Sequence, residues 1–155
     1  MKGNERVLDT LNNLLADELT AVSQYMLHAS MCGNWGYEKL HQVVEKRSID
    51  EMKHAEMLLD RILFLEGTPI VSNLHKMMIG ARVEFQLAND LEAEVGAIKA
   101  YNDGIRVTTE SGDNGSRDML GSILKDEERH LDWLEAQLDQ IDQIGLQNYL
   151  LAQVG

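Results

Sequence analysis

Two segments of the chain read Asp-Glu-x-x-His: Asp50-Glu51-Met52-Lys53-His54 and Asp126-Glu127-Glu128-Arg129-His130. On an α-helix, side chains three residues apart share a face, so each Glu and His can grip one ion together. The offset that carries Glu51 to Glu127 also carries His54 to His130, Glu18 to Glu94 and Tyr25 to Tyr101. The chain thus reads as two copies of one helical hairpin. Oxygen and nitrogen donors of this kind suit Fe, Mn or Zn, and the lack of cysteine among them argues against a soft-metal site. Glu18, Glu51, Glu94 and Glu127 supply four negative charges, which two divalent cations would balance. A single Glu-x-x-His is common on solvated helices. Glu38 and His41 form one, but the same offset takes them to Asn114 and Arg117, so that pair has no copy.

The elements that must position these groups are four long amphipathic segments with apolar residues three and four apart. The first stripe runs Val7, Leu11, Leu14, Glu18, Val22, Tyr25, Ala29, Cys32, and the second Leu40, Val44, Glu51, His54, Leu58, Ile62, Leu65. The third runs Leu87, Leu91, Glu94, Ile98, Tyr101, Ile105, and the fourth Leu120, Leu124, Glu127, His130, Leu134, Leu138, Ile141. Each is interrupted near its middle by a carboxylate or an imidazole. A lone buried carboxylate is costly unless it is paired or bound to a metal, so four interruptions at matching depth point to shared cations.

Short links containing Gly33-Asn34 with Gly36, and Ser111-Gly112-Asp113-Asn114-Gly115-Ser116, predict antiparallel neighbours, with Ser116 as an N-cap. Gly145 ends the fourth helix, and a short fifth follows over Leu146 to Val154. Between helices two and three, the stretch from Gly67-Thr68-Pro69 to about Arg82 is too long for a turn. Helices of this length span about 40 Å, and about 15 extended residues can cross that distance, leaving helices two and three parallel. The expectation is an all-α four-helix bundle with one long crossover, a single domain over residues 1–155.

The formal net charge of −12 argues against nucleic-acid phosphates and anionic membrane surfaces as partners. One cysteine, Cys32, excludes an intrachain disulfide framework. No run is long and apolar enough to span a membrane, and Met1-Lys2-Gly3-Asn4-Glu5 lacks the apolar stretch of a secretory signal, so a cytoplasmic protein is expected.

Along its length the sequence resembles the bacterioferritin branch of the ferritin family. The resemblance is carried by Met1-Lys2-Gly3, Leu14-Leu15-Ala16-Asp17-Glu18-Leu19, Gln24-Tyr25, Asn34-Trp35-Gly36 and Ser48-Ile49-Asp50-Glu51-Met52-Lys53-His54-Ala55. It continues through Arg61-Ile62-Leu63-Phe64-Leu65-Glu66-Gly67, Ser116-Arg117-Asp118, Asp132-Trp133-Leu134-Glu135 and Gly145-Leu146-Gln147-Asn148-Tyr149-Leu150. The resemblance implies a hollow shell of 24 subunits that oxidises Fe(II) with dioxygen or hydrogen peroxide at a di-iron ferroxidase centre and stores the mineral. It implies that Glu18, Glu51 and His54 hold one of two irons per subunit and Glu94, Glu127 and His130 the other, with Glu51 and Glu127 bridging. Tyr25 and Trp133 resemble family aromatics that supply electrons near the site, against a reading as ordinary packing.

Met52 resembles the methionine that, with its copy from a second subunit, ligates a haem b across a twofold interface. A small ferredoxin acting through that haem is the implied partner for iron release. Many members place a His where this chain has Lys46, forming an inner-surface iron site with the following Asp. Lys46-Arg47 leaves only Asp50 there, so oxidation is expected not to depend on such a site. The competing class is a ferritin-like di-metal peroxidase or catalase without mineral storage.

Overall fold

A computed structural model describes residues 1–155. Five helices follow in order: α1 (Glu5–Asn34), α2 (Glu38–Phe64), α3 (Val83–Glu110), α4 (Asn114–Ile144) and α5 (Leu146–Gln153). Helix α1 starts where the Asn4 side chain accepts from the N–H groups of Arg6 and Val7 at 2.8 and 3.2 Å. The N-cap of α4 is Asp113, not Ser116. Asp113 accepts from the Ser116 N–H at 3.0 Å, and the Ser116 hydroxyl donates back to it at 2.7 Å. The Asp113 carboxylate thereby satisfies an orphan amide and receives Arg61 of α2 at 2.9 Å, which ties the α3–α4 turn to the end of α2. At Gly145 the chain takes φ +83°, a left-handed value that lets α5 fold back. Tyr149 of α5 is fully buried and donates to Gln137 Oε1 at 2.7 Å.

The crossover from Leu65 to Arg82 has no regular structure. Its backbone groups still need partners, and one face of α1 supplies them. Asn12 accepts from the Ile70 N–H, Thr20 from His75, Gln24 from Met78 and His28 from Gly80, at 2.9, 2.9, 2.9 and 3.0 Å. The contacts advance along α1 with the chain, so the strap carries the fold from the start of α1 to its end. Helix α3 therefore begins beside the end of α1 and runs antiparallel to it. Cross-links from Gln24 to Asp90 at 2.9 Å and from Arg6 to Glu110 at 2.9 Å show this direction.

Gly80 is pressed so closely on α3 that a Cβ there would sit 2.4 Å from the Gln86 backbone nitrogen. Beneath it, His28 accepts from Gly80 at Nε2, so its proton is on Nδ1, which donates to Asp90 at 2.9 Å. This buried trio of Gln24, His28 and Asp90 was not legible as a unit in the sequence. Asp90→Ala leaves two buried donors without an acceptor. It should lower the unfolding free energy by about 2–4 kcal/mol, read from denaturant curves, with Asp90→Asn costing less.

Apolar packing is divided between the two ends of the bundle. One cluster holds Val7, Leu11, Leu15, Leu58, Ile62 and Leu120, and the other holds Cys32, Leu40, Val83, Leu87, Leu134 and Tyr149. Each fully buried Leu or Ile contributes about 1.5–3 kcal/mol, so the two clusters clamp the helices on either side of a polar middle layer. No helix is long and apolar enough to cross a membrane.

Candidate metal centre

The middle layer is where the four interrupted stripes meet. Glu18 from α1, Glu51 and His54 from α2, Glu94 from α3, and Glu127 and His130 from α4 are all buried, none more than 6% exposed. Their donor atoms fall into two overlapping groups, Glu18–Glu51–His54–Glu127 and Glu51–Glu94–Glu127–His130, with one donor atom from each residue of a group lying within 4.8 Å of the rest. Glu51 and Glu127 belong to both. His54 Nδ1 lies 2.9 Å from Glu127 Oε1, and His130 Nδ1 lies 3.1 Å from Glu51 Oε1. The two imidazoles face each other with ring centroids 6.3 Å apart.

Seven buried polar atoms in the chain lack a hydrogen-bond partner, and all seven belong to these six residues: Glu18 Oε2, Glu51 Oε1, His54 Nδ1, Glu94 Oε2, both Glu127 oxygens and His130 Nδ1. Buried polar atoms are almost always satisfied, so seven orphans converging on one point fit a pair of cations between them. Without cations the layer must hold protons instead. Burial and the neighbouring Glu51 charge push Glu18 well above the usual carboxylate range. Burial, with Glu94 beside it, pushes Glu127 up to about 12. Burial opposes charge on both histidines, but the surrounding carboxylates win and raise His54 and His130. On Glu51 burial is outweighed by the adjacent imidazoles of His130 and His54, which hold it below its usual value.

The supporting contacts repeat across the two hairpins. Tyr25 donates to Glu94 Oε1 at 2.6 Å and Tyr101 to Glu18 Oε1 at 2.5 Å, each phenol fixing one oxygen of a carboxylate whose other oxygen stays free. Behind the rings, Asp126 Oδ2 lies 2.8 Å from His54 Nε2 and Asp50 Oδ2 lies 3.5 Å from His130 Nε2. The Asp of each motif thus serves the His of the other, which sequence spacing does not reveal. A carboxylate on the outer nitrogen fixes the tautomer that leaves the inner nitrogen free to bind metal. Asp126→Ala should therefore weaken metal binding at the His54 position by about 10–100-fold in a Co(II) titration. Asp50→Ala, whose contact is longer, should change less.

A cleft of about 380 Å³ between α1, α3 and the strap leads from the surface to Glu18, Glu51, Glu94 and Glu127. The pair of half-buried Asp17 and exposed His75, 3.1 Å apart, stands at its mouth. Neither residue stood out in the sequence, because their proximity depends on the path of the strap. Of the remaining sequence candidates, Met52 faces away from this layer and is 44% exposed. It lines a groove of about 280 Å³ with Val22, Met26, Ala29 and Ile49. Trp133 packs under the Arg47 guanidinium, 5.4 Å from the ring centre. His41 of the unrepeated pair bonds to the Ala29 carbonyl and to Glu45, not to Glu38.

A four-helix bundle with one long crossover and two Glu-x-x-His pairs facing two further glutamates defines the class of ferritin-like proteins. The chain matches the ferritin family, described as a ferritin-like domain, over residues 8–144. It is 43% identical over 155 residues to a bacterial ferritin of Synechocystis, with 99% of each chain covered. It is 41% identical over 150 residues to a bacterioferritin of Streptomyces coelicolor, covering 97% of this chain and 90% of the relative. Over 149 residues it is 39% identical to a bacterioferritin of Brucella melitensis, covering 96% and 92%. The chain belongs to the ferritin family, in its bacterioferritin branch.

Proposed function

We propose that this protein stores iron, taking Fe(II) as substrate and oxidising it to Fe(III) at the buried layer of Glu18, Glu51, His54, Glu94, Glu127 and His130. The observation that carries this reading is the set of seven unpartnered donor atoms in two groups that share Glu51 and Glu127. The names of the relatives, ferritin and bacterioferritin, support the storage role.

Two ferrous ions held side by side can each give one electron to the same oxidant, so dioxygen with two protons becomes hydrogen peroxide without a free radical. The shared carboxylates of Glu51 and Glu127 keep the two positions together. Tyr101 and Tyr25 orient Glu18 and Glu94, and Asp126 and Asp50 orient His54 and His130. In the same proposal Tyr25 is a further electron source near the irons, a role supported by its hydroxyl donating to Glu94 at 2.6 Å. The cleft past Asp17 and His75 is the route from outside.

The same reading includes self-association into a hollow shell of 24 subunits, with a ferredoxin-type donor for iron release. It also gives Met52 the role of haem b ligand, paired with its copy in a second subunit. The half-exposed thioether in an apolar groove beside Met26 and Ile49 suits a residue that would hold haem at an interface, and haem there would supply a path for electrons to the mineral. Fe(II) added in air to the purified protein tests the whole. Iron retained in a particle of about 24 subunits, and a haem absorption band lost in Met52→Leu, are expected. A small oligomer that turns over peroxide and keeps no iron would overturn the storage reading in favour of a di-metal peroxidase or catalase.

A further inference from the structure

The face of the bundle between α2 and α4, behind the histidines, carries positive charge that the metal centre does not use. A groove of about 460 Å³ there is lined by Lys46, Arg47 and Arg129 together with Asp50, Asp126 and Trp133. The two carboxylates are engaged elsewhere. Asp126 is paired with Arg129 and with His54 Nε2, and Asp50 faces His130 Nε2.

Arg47 has no such partner. It is only 9% exposed, its side chain makes no hydrogen bond and has no carboxylate within ion-pair distance, and its guanidinium lies over the Trp133 ring at 5.4 Å. Lys46, beside it and exposed, is also unpaired. A guanidinium offers five N–H donors in a fixed fork, and the Arg47 nitrogens are not among the buried unpartnered atoms, so they open to solvent in the groove. Its flat side is covered by Trp133 while its donors are left over. That is the arrangement of a cation prepared for an anion.

We propose that this groove binds a tetrahedral oxyanion of the inorganic phosphate class. The Arg47 fork meets two of its oxygens, the Lys46 ammonium supplies a point charge, and Arg129 stands at the rim. Two parallel N–H donors match phosphate geometry, and the two unpaired cations Lys46 and Arg47 side by side favour an anion over a divalent metal. Lys46 and Arg47 are therefore a binding pair for an anion and not a damaged iron site. The location gives the anion a use. It sits against His130, on the opposite side of that ring from the point where ferric iron would form, and hard Fe(III) is well matched to phosphate oxygen. This use rests on the proposed iron storage; the binding itself does not.

The test begins with metal-free protein in a Trp35→Phe background, so that Trp133 is the only indole. Inorganic phosphate is titrated at constant ionic strength against sodium nitrate, and Trp133 emission and phosphorus NMR linewidth are followed. Saturable binding is expected, weakened at least about tenfold in Arg47→Gln, the loss of about one charge-assisted hydrogen-bond pair. Lys46→Ala should weaken it several-fold. Equal affinity in wild type and Arg47→Gln of matching helicity would overturn the proposal. Should Arg47→Gln fail to fold, unchanged affinity in Lys46→Ala would overturn it, because Lys46 is exposed. In a second arm, iron is loaded in the presence of phosphate, and the phosphate-to-iron ratio of the retained mineral should fall in both variants. Wild type that binds phosphate but retains no iron would remove the storage reading and leave the anion site standing.

Discussion

Glu127→Ala is expected to empty both metal positions at once, whereas Glu18→Ala empties one. Glu127 has no exposed surface, belongs to both donor groups, and both of its oxygens are unpartnered. Its alanine variant removes one donor from each group and leaves a gap between them. Fe(II) oxidation should fall by at least about 100-fold, since the proposed reaction draws two electrons together from ions that share this carboxylate. Glu51→Ala should behave alike. Glu18 and Glu94 each belong to a single group, so Glu18→Ala should still bind about one equivalent of Co(II) at the Glu94–His130 side.

Titration of each variant with Co(II), read by its visible absorption, separates the two classes. Two equivalents bound by Glu127→Ala would mean that Glu127 is not shared. The variant should fold without metal. It removes a carboxyl that burial already disfavours, and the apolar clusters at both ends of the bundle are untouched.

The contrast between these positions shows what the sequence could and could not say. Glu18, Glu51, His54, Glu94, Glu127 and His130 were legible because a buried stripe tolerates charge only for a reason, and the same interruption recurs at one offset in both halves. The crossover was legible as a length. Its path was not, because an irregular strap is held by side chains whose partners are backbone groups far along the chain. Thr20, Gln24 and His28 read as ordinary polar residues on α1 until the strap lies over them.

The crossed pairing of Asp126 with His54 and Asp50 with His130 was hidden for a related reason. Residue spacing reports which groups share a helix face, and these contacts span two helices. Residue type alone favours Ser116 as an N-cap; Asp113 takes the position because its carboxylate accepts the Ser116 N–H and also receives Arg61. Arg47 shows the limit most clearly. In sequence it is one of several cations on a polar face, and only packing against Trp133 buries it.

Metal loading should stabilise the protein, and by more as the pH rises. In the metal-free chain the folded state holds protons that the unfolded state would release. Burial and carboxylate neighbours raise Glu18 and Glu127 above the ordinary value of 4.5, Glu127 to about 12, and neighbouring carboxylates raise His54 and His130 above 6.5. A raised folded-state pKa gives stability that is present below the unfolded pKa and lost as pH climbs through the window between the two. The slope of unfolding free energy with pH is therefore negative from about pH 4.5 for the carboxyls, steepening from about pH 6.5 as the histidines join. Each proton held only in the folded state contributes about 1.4 kcal/mol per pH unit to that decline. The depressed Glu51 acts with the opposite sign, but below its ordinary value of 4.5, so it does not offset the trend near neutrality.

Two divalent ions displace those protons, and their affinity rises with pH because the ligands must be deprotonated to bind. At a free metal concentration about 1,000 times Kd, one site adds about 4 kcal/mol. Thermal melts at pH 6.5, 7.5 and 8.5, with Zn(II) as a redox-inert probe and with chelator, should show metal-free Tm falling across the series. Zn(II)-loaded Tm should stay level or rise, so the gap widens. Glu127→Ala should show a shallower metal-free decline and little response to Zn(II). A gap that narrows with pH in wild type would mean the buried layer does not exchange protons for metal.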